Sequence, residues 1–370
     1  VGMEINFNDL DENDLVKILF SEKVGVVLQS KENLTASFAK NGIQAIRIGS
    51  AINQSRLMVG EFDWSIPEMR MTWMKTSTQL EAKQTQPQLA SVRANNVVKQ
   101  PLHFHFPNPF KGKKLAAKST TIKAAVIREK GSNSEREMAY MMNLSGFEVR
   151  DVHMTDLIEG RENLEDIQLL VAVGGFSNSD VLGSAKGWAG AFKYNPKAKA
   201  AIEKFFHRTD TLSLGVCNGC QLFVELELLT PAHEKHPKML HNDSGKFECI
   251  FTAVTIQASS AIMLQGLEGS KLGIWAAHGE GKFSFPKTEN NYQIPAKYLY
   301  DEYPSNPNGS DFNAAMLASD DGRHLVMMPH LERSIFPWNW GHYPVNRKDE
   351  VSPWTQVFEN AFDWLSNKRK

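Results

Sequence analysis

The sequence has 370 residues, of which 42% are apolar and 22% charged; at roughly 100–200 residues per domain this predicts two or three domains with room for a sizeable core. Lys and Arg together number 41 against 42 Asp and Glu, a formal net charge of -1, so the basic excess that nucleic-acid or polyanion binding needs is missing. Three cysteines (Cys217, Cys220, Cys249) are too few for a disulfide scaffold and suggest a reducing compartment, the cytoplasm.

In chain order, VGMEINFNDLDEND has neither the basic nor the apolar region of a secretory signal, and the opening Val1 hints at a piece of a longer chain. DENDLVKILFSEK predicts a helix, VGVVLQS a strand, ENLTASFAKNG a helix closed by Gly42, IQAIRIGS and RLMVGEF two strands, and PEMRMTWMKTSTQLEAKQ a long helix. Residues 1–86 are thus expected to be an α+β segment, a packing or docking module with helices on one face of a small sheet. Residues 87–120 carry Pro87, Pro101, Pro107 and Pro109 and four lysines between 111 and 118, and predict an extended linker. His103 and His105 alternate with Phe104 and Phe106. With no third ligand nearby, a Phe pair packed beneath surface histidines is preferred over a zinc site.

From 121 onward the pattern is regular. IKAAVIRE, FEVRDVHM, DIQLLVAVGG and TLSLGV read as strands. GSNSEREMAYMMNLSG, NPKAKAAIEKFFHR and CQLFVELELL read as helices, the first with Ser134 as N-cap and Gly146 as stop. Such alternation predicts an α/β fold with a doubly wound, mostly parallel sheet over 121–370, whose active site lies at the carboxyl ends of the strands. EVSPWTQVFENAFDWLSN predicts a closing amphipathic helix that starts near Ser352 and Pro353.

The sharpest feature is Gly215-Val216-Cys217-Asn218-Gly219, where an apolar strand runs straight into a helix. A side chain in so tight a turn is pushed out at the strand end, where a nucleophile must stand. The helix amino terminus favours a thiolate and lowers the thiol pKa from ~8.5 toward neutral. The Asn218 N–H then offers half of an oxyanion hole. Cys220 makes a nominal CxxC with Cys217, but the elbow favours acyl transfer and places Cys220 in the core.

A thiolate nucleophile needs a base, and the base an orienting carboxylate. His330 and Glu332, two apart after the strand HLVMM, share a face and fit both roles. Gly174-Gly175, at the end of VAVGG, exposes backbone N–H groups at the same sheet edge, and that of Gly175 completes the oxyanion hole most simply; no GxGxxG follows to make a dinucleotide site. His278 and Glu280, in IWAAHGEGKF, line the pocket or form a second acid/base pair, and are ranked as binding residues. HEKH at 233–236 has its histidines three apart with Pro237 directly after, which is no zinc motif. No metal ligand set is assigned.

The cysteine elbow, GG turn and HxE, in this order, resemble the class I glutamine amidotransferases. More closely, VGGFSNSDVLGSAKGWA, GVCNGCQ, AHGEGKF, NPNGS and DGRHLVMMPHLERS resemble the glutaminase domain of the large single-chain phosphoribosylformylglycinamidine synthases. That resemblance covers about 120–370, and WMKTSTQLEAKQ resembles the end of their synthetase portion. It implies that Cys217 takes the amide of L-glutamine as a thioester, that His330 is the general acid/base and Glu332 its partner, and that Gly175 and Asn218 supply the oxyanion N–H groups. Gln221 and Gly174-Gly175 would border the glutamine pocket. Ammonia would pass to an upstream synthetase portion of the same enzyme, which uses ATP and Mg²⁺ at a site outside this chain. Where the family often has GGFSYGD and PHPER, this chain has Asn178-Ser179 and Leu331. Two other readings accompany this one: an elbow-cysteine hydrolase with a different acyl substrate, and a non-catalytic interaction module that retains the fold.

Overall fold

The structure, a computed structural model, describes residues 1–99, 102–114 and 122–368. Two compact units divide it, Val1–Glu81 and Ala82–Lys370.

The first unit runs β1 (Gly2–Ile5), α1 (Leu15–Phe20), α2 (Thr35–Ala39), β2 (Gly49–Ile52), β3 (Arg56–Val59), β4 (Phe62–Ser65) and α3 (Ile66–Glu81). Its mixed sheet has the order β2-β1-β3-β4, with β1 and β3 parallel. Asp14 starts α1 by accepting the Val16 and Lys17 N–H groups, the expected use of a carboxylate at an N-cap. RLMVGEF is a hairpin turning after Val59 instead of a single strand. The strand expected over 24–30 is absent, and Val24, Val26, Val27 and Leu28 are exposed. A strand is held by its ladder and by a face to pack on, and no described strand pairs with this run. Val59 is the one buried apolar side chain among the described residues of this unit.

In the second unit the extended linker is corrected at its start: Pro87–Asn96 is a helix, α4, with Pro87 at its first turn and Ala90 and Ala94 buried. Thr85 Oγ1 donates to Ser244 O at 2.9 Å and Asn96 Nδ2 to Tyr303 O at 2.8 Å, which fixes both ends of that helix. Residues 100–101 and 115–120 of the expected linker lie outside the described residues. Phe104 and Phe106 pack edge-on against Trp340, at 5.0 and 5.6 Å, while His103 and His105 are exposed.

The main layer follows as β5 (Ile122–Arg128), α5 (Glu135–Leu144), β6 (Phe147–His153), α6 (Met154–Glu159), β7 (Leu169–Ala172), α7 (Lys186–Tyr194), α8 (Pro196–His207), β8 (Leu212–Val216) and α9 (Asn218–Glu225). After it come β9 (Lys238–Leu240), β10 (Glu248–Ile256), β11 (Lys271–His278), β12 (Lys282–Ser284), β13 (Ala296–Tyr298), β14 (Met316–Ala318), β15 (His324–Met327) and α10 (Thr355–Lys368). Six strands form the sheet β14-β15-β8-β7-β5-β6, parallel throughout except β14. This is the expected α/β fold with a mostly parallel sheet. Every residue of β7, β8 and β15 is buried, as befits strands covered on both faces.

Between α9 and β14 the chain builds two small sheets that the alternation pattern does not announce, β11-β10-β13 and β12-β9. Ser134 departs from its expected capping role. It precedes α5 with φ 69° and makes no capping hydrogen bond, and its hydroxyl is buried without a protein partner.

Candidate active site

Strands β5, β7, β8 and β15 are neighbours and run parallel, so the segments after them emerge at one edge of the sheet. Cys217 follows β8 directly. Its φ of 52° and ψ of -107° lie outside the ordinary regions for a residue with a Cβ, a strain characteristic of sharp strand-to-helix turns that carry a nucleophile. Its N–H donates to Met327 O at 2.8 Å, which ties the elbow to β15. The elbow can be this tight because of Gly219: a Cβ there would stand 2.1 Å from Ala172 O, so only glycine lets α9 start so close to β7.

His330 arrives from β15, and its N–H donates to Trp275 O at 2.7 Å. Its Nδ1 is 2.7 Å from Glu332 Oε1, and both residues are buried. Burial alone would lower the imidazole pKa, but the Glu332 carboxylate and then Cys217 outweigh it and raise the value. For Glu332, burial opposes ionisation, and the His330 charge and hydrogen bond overcome it and lower the pKa. The ring nitrogen not facing Glu332 is left for Cys217, whose thiol in this structure donates to Ala277 O at 3.6 Å. A Cβ added to Gly174 would stand 2.9 Å from His330 Cε1 and 3.4 Å from Cys217 Cβ. The ring and the elbow therefore close over the same glycine.

A cavity of about 60 Å³ opens here, lined among others by Gly175, Cys217, Gln221, His278 and His330. Gly175 forms an isolated antiparallel bridge with Ser132 in which Gly174 O accepts from Asn133 N–H and Phe176 N–H donates to Gly131 O. Gly175 itself has a φ of 118° and lines the cavity, and its N–H makes none of the hydrogen bonds of that bridge. Asn218 is the first residue of α9, so its N–H has no partner within the helix.

The remaining expected residues divide. Gln221 lines the cavity, but its Oε1 accepts from Asn218 Nδ2 at 2.9 Å and its Nε2 donates to Glu280 O at 2.8 Å, so both polar ends are committed to protein. Asn218 Oδ1 accepts from Ser177 N–H at 3.2 Å, and the pair locks α9 to the GG loop. His278 is buried, and both ring nitrogens lack a protein partner. Burial, helped by the His330 charge, pushes its pKa down to about 3, so it is a neutral imidazole in the cavity wall. Asn242 holds the turn behind it, donating to His278 O at 2.7 Å and accepting from Gly281 N–H at 3.0 Å. Glu280 lies outside this cavity. It lines an adjoining groove of about 650 Å³ with Asp180, Lys186 and His241, and its carboxylate accepts the Ser184 N–H at 3.1 Å.

Among the cavity residues that the sequence reading does not assign are Asn133, Asp180, Phe247 and Arg333. Asp180 sits inside the quoted GG loop and Arg333 next to Glu332, so their proximity to the motifs was a usable signal; nothing local marks Asn133 or Phe247. Cys220 is buried, and that burial pushes its thiol pKa well up. All three cysteines are free. Among the described residues no group of three or more His, Cys, Asp or Glu could hold a metal ion, and no helix is long and apolar enough to cross a membrane.

"Probable phosphoribosylformylglycinamidine synthase, chloroplastic/mitochondrial" of Arabidopsis thaliana is 40% identical over 400 residues, covering 97% of this chain and 28% of that protein. The phosphoribosylformylglycinamidine synthases of Dictyostelium discoideum and Homo sapiens are each 36% identical, over 97% and 95% of this chain and 31% and 29% of theirs. The chain thus spans less than a third of the length of these curated relatives. Among solved structures, that of PurLQS from Thermotoga maritima superposes with a TM-score of 0.51 at 24% identity, over 68% of this chain and all of the matched one, a likeness of fold. Residues 121–365 match the CobB/CobQ-like glutamine amidotransferase domain, and the chain belongs to that family.

Proposed function

We propose that this chain is the glutamine-hydrolysing part of a phosphoribosylformylglycinamidine synthase. The observation that carries the reading is the convergence of Cys217, at positive φ, with the buried His330–Glu332 pair on one cavity. Cys217 passes its proton to His330 and attacks the carboxamide carbon of L-glutamine. The oxyanion that forms is met by the N–H groups of Gly175 and Asn218. His330 returns the proton to the leaving nitrogen, and ammonia departs from a cysteinyl thioester. A water then enters; His330 takes one of its protons as the hydroxyl adds to the thioester carbon, and the cysteine leaves with glutamate as product. Glu332 holds the ring in the tautomer and orientation that both steps need.

The ammonia serves the ATP-dependent conversion of formylglycinamide ribonucleotide to formylglycinamidine ribonucleotide in de novo purine synthesis. ATP and Mg²⁺ belong to an upstream synthetase portion, and no step described here runs through them. On this reading residues 1–86 are the end of that portion, 87–120 connect, and 121–370 are the glutaminase domain. Three free thiols favour a cytoplasmic setting. The name of the Arabidopsis thaliana relative assigns that protein to organelles.

The test is to incubate the chain with a glutamine-like electrophile and map the adduct. Modification of Cys217 alone is expected; labelling of Cys220 or Cys249 in its place, or hydrolysis of unrelated amides as fast as glutamine, removes the assignment.

A further inference from the structure

We propose that Asp180 and Arg333 are the two charged poles that recognise the α-ammonium and α-carboxylate of a free amino acid in the Cys217 cavity, so that the site selects free glutamine over a glutaminyl side chain within a peptide. The inference rests on the glutamine-hydrolase reading and adds the basis of its substrate choice.

The cavity that holds Cys217 and His330 is also lined by one carboxylate, Asp180, and one guanidinium, Arg333. Asp180 is half-buried with three long, neutral contacts: Asn218 Nδ2 at 3.5 Å, Ala185 N–H at 3.4 Å and Ser184 Oγ at 3.5 Å. No cation lies within ion-pair distance of it among the described residues. Burial, and after it the nearby Glu280 charge, raises its pKa, the signature of a carboxylate that lacks a counter-charge. It closes a run of three left-handed residues, Asn178, Ser179 and Asp180, with φ of 52°, 57° and 49°. Backbone strain of this kind persists where surrounding structure holds it in place, often at ligand sites.

Arg333 Nη2 donates to Asn133 Oδ1 at 2.7 Å, and Nε stands 3.8 Å from Glu332 Oε1, beyond hydrogen-bond length. Glu332 is already engaged by His330. A guanidinium has five N–H donors in a fork that matches a carboxylate, more than these contacts use. An independent observation points to a polar ligand in the same cavity. His278 is buried in its wall with neither ring nitrogen paired to protein, a costly arrangement unless something else supplies the hydrogen bonds. A zwitterion with a carboxamide at its far end meets all three features. Glutamine in a peptide has neither charge to offer.

The experiment measures Cys217 labelling of the full chain by 6-diazo-5-oxo-L-norleucine, by its N-acetyl form (no ammonium) and by its α-amide (no carboxylate), each rate divided by that for iodoacetamide. The unmodified chain is expected to favour the free amino acid by at least about tenfold over either blocked form, the order expected when one half-buried charge pair is lost. D180N should slow the free reagent about tenfold and erase discrimination against the N-acetyl form. R333Q should do the same for the α-amide, with R333K restoring part of it. Melting curves establish that each variant is folded. Equal labelling of free and blocked reagents by the unmodified chain overturns the proposal, as does wild-type discrimination in folded D180N and R333Q. If iodoacetamide labels Cys217 but none of the three glutamine-like reagents does, the hydrolase reading falls and this inference with it.

Discussion

His330 Nδ1 and Glu332 Oε1 meet at 2.7 Å with a single residue, Leu331, between them. Both partners are buried, and a buried carboxylate is costly unless paired. The pair therefore favours a charged ring facing Cys217. Glu332→Gln keeps the shape and removes the charge that raises the His330 pKa, so the ring falls back toward the neutral form that burial prefers. We expect kcat/KM for glutamine to fall by about 10–100-fold in E332Q, by at least ~100-fold in His330→Ala, and to vanish in Cys217→Ala. Steady-state kinetics within twofold of wild type for E332Q would contradict the role given to the pair.

The contrast between what was legible and what was not follows from how far each signal reaches along the chain. The Cys217 elbow and the His330–Glu332 pair are local patterns: five residues carry the turn and three carry the shared face. Even so, their convergence depends on β8 and β15 being neighbours, which strand–helix alternation implies without specifying. Asp180 and Arg333 contribute through the fold, since each becomes a cavity residue only when its loop is brought to the sheet edge. Pro87 was misleading in another way. Proline punctuates loops, but it also suits the first turn of a helix, where its missing N–H has no partner to lose, and that is the position it takes in α4. The run at 24–30 has strand composition and no ladder.

Gly174 is a test of geometry with little involvement of stability. A methyl group at this position would press on His330 Cε1 from 2.9 Å, a distance at which the ring must move. Gly174→Ala should leave the melting temperature within a few degrees of wild type and lower glutamine hydrolysis by about tenfold or more, because an ångström of misplacement at a reacting centre is enough to do so. Unchanged kcat in G174A would show that the ring position is not critical.

The mouth of the cavity offers a third prediction. Phe176 and Phe247, 5.9 Å apart, are both about half exposed, and Val181 and Leu182 beside them are more so. This apolar rim is uncovered in the chain, which spans less than a third of its relatives. If an upstream portion covers it, glutamine hydrolysis should rise about 5–150-fold when that polypeptide is supplied, the usual range of coupling between sites. Equal rates with and without it, measured as ammonia released, would remove the coupling.

His324 sets an acid limit on stability. Its ring stacks on Phe206 at 4.3 Å and its Nδ1 is 2.9 Å from Ser213 Oγ. Burial, and then Arg323, pushes its pKa from 6.5 down to about 4, with Asp321 opposing. The folded value lies below the unfolded one, so the neutral ring's contribution is fully present above pH 6.5 and is lost as pH falls toward 4. By linkage that contribution is at most about 3 kcal/mol. His278, pushed to about 3, acts in the same direction over an overlapping window. We expect the melting temperature to drop steadily between pH 6.5 and 4. In His324→Gln, which cannot take up a proton, it should be lower at pH 7 but fall less steeply on acidification. Parallel melting-temperature profiles for the two proteins would mean that His324 does not titrate on unfolding in this range.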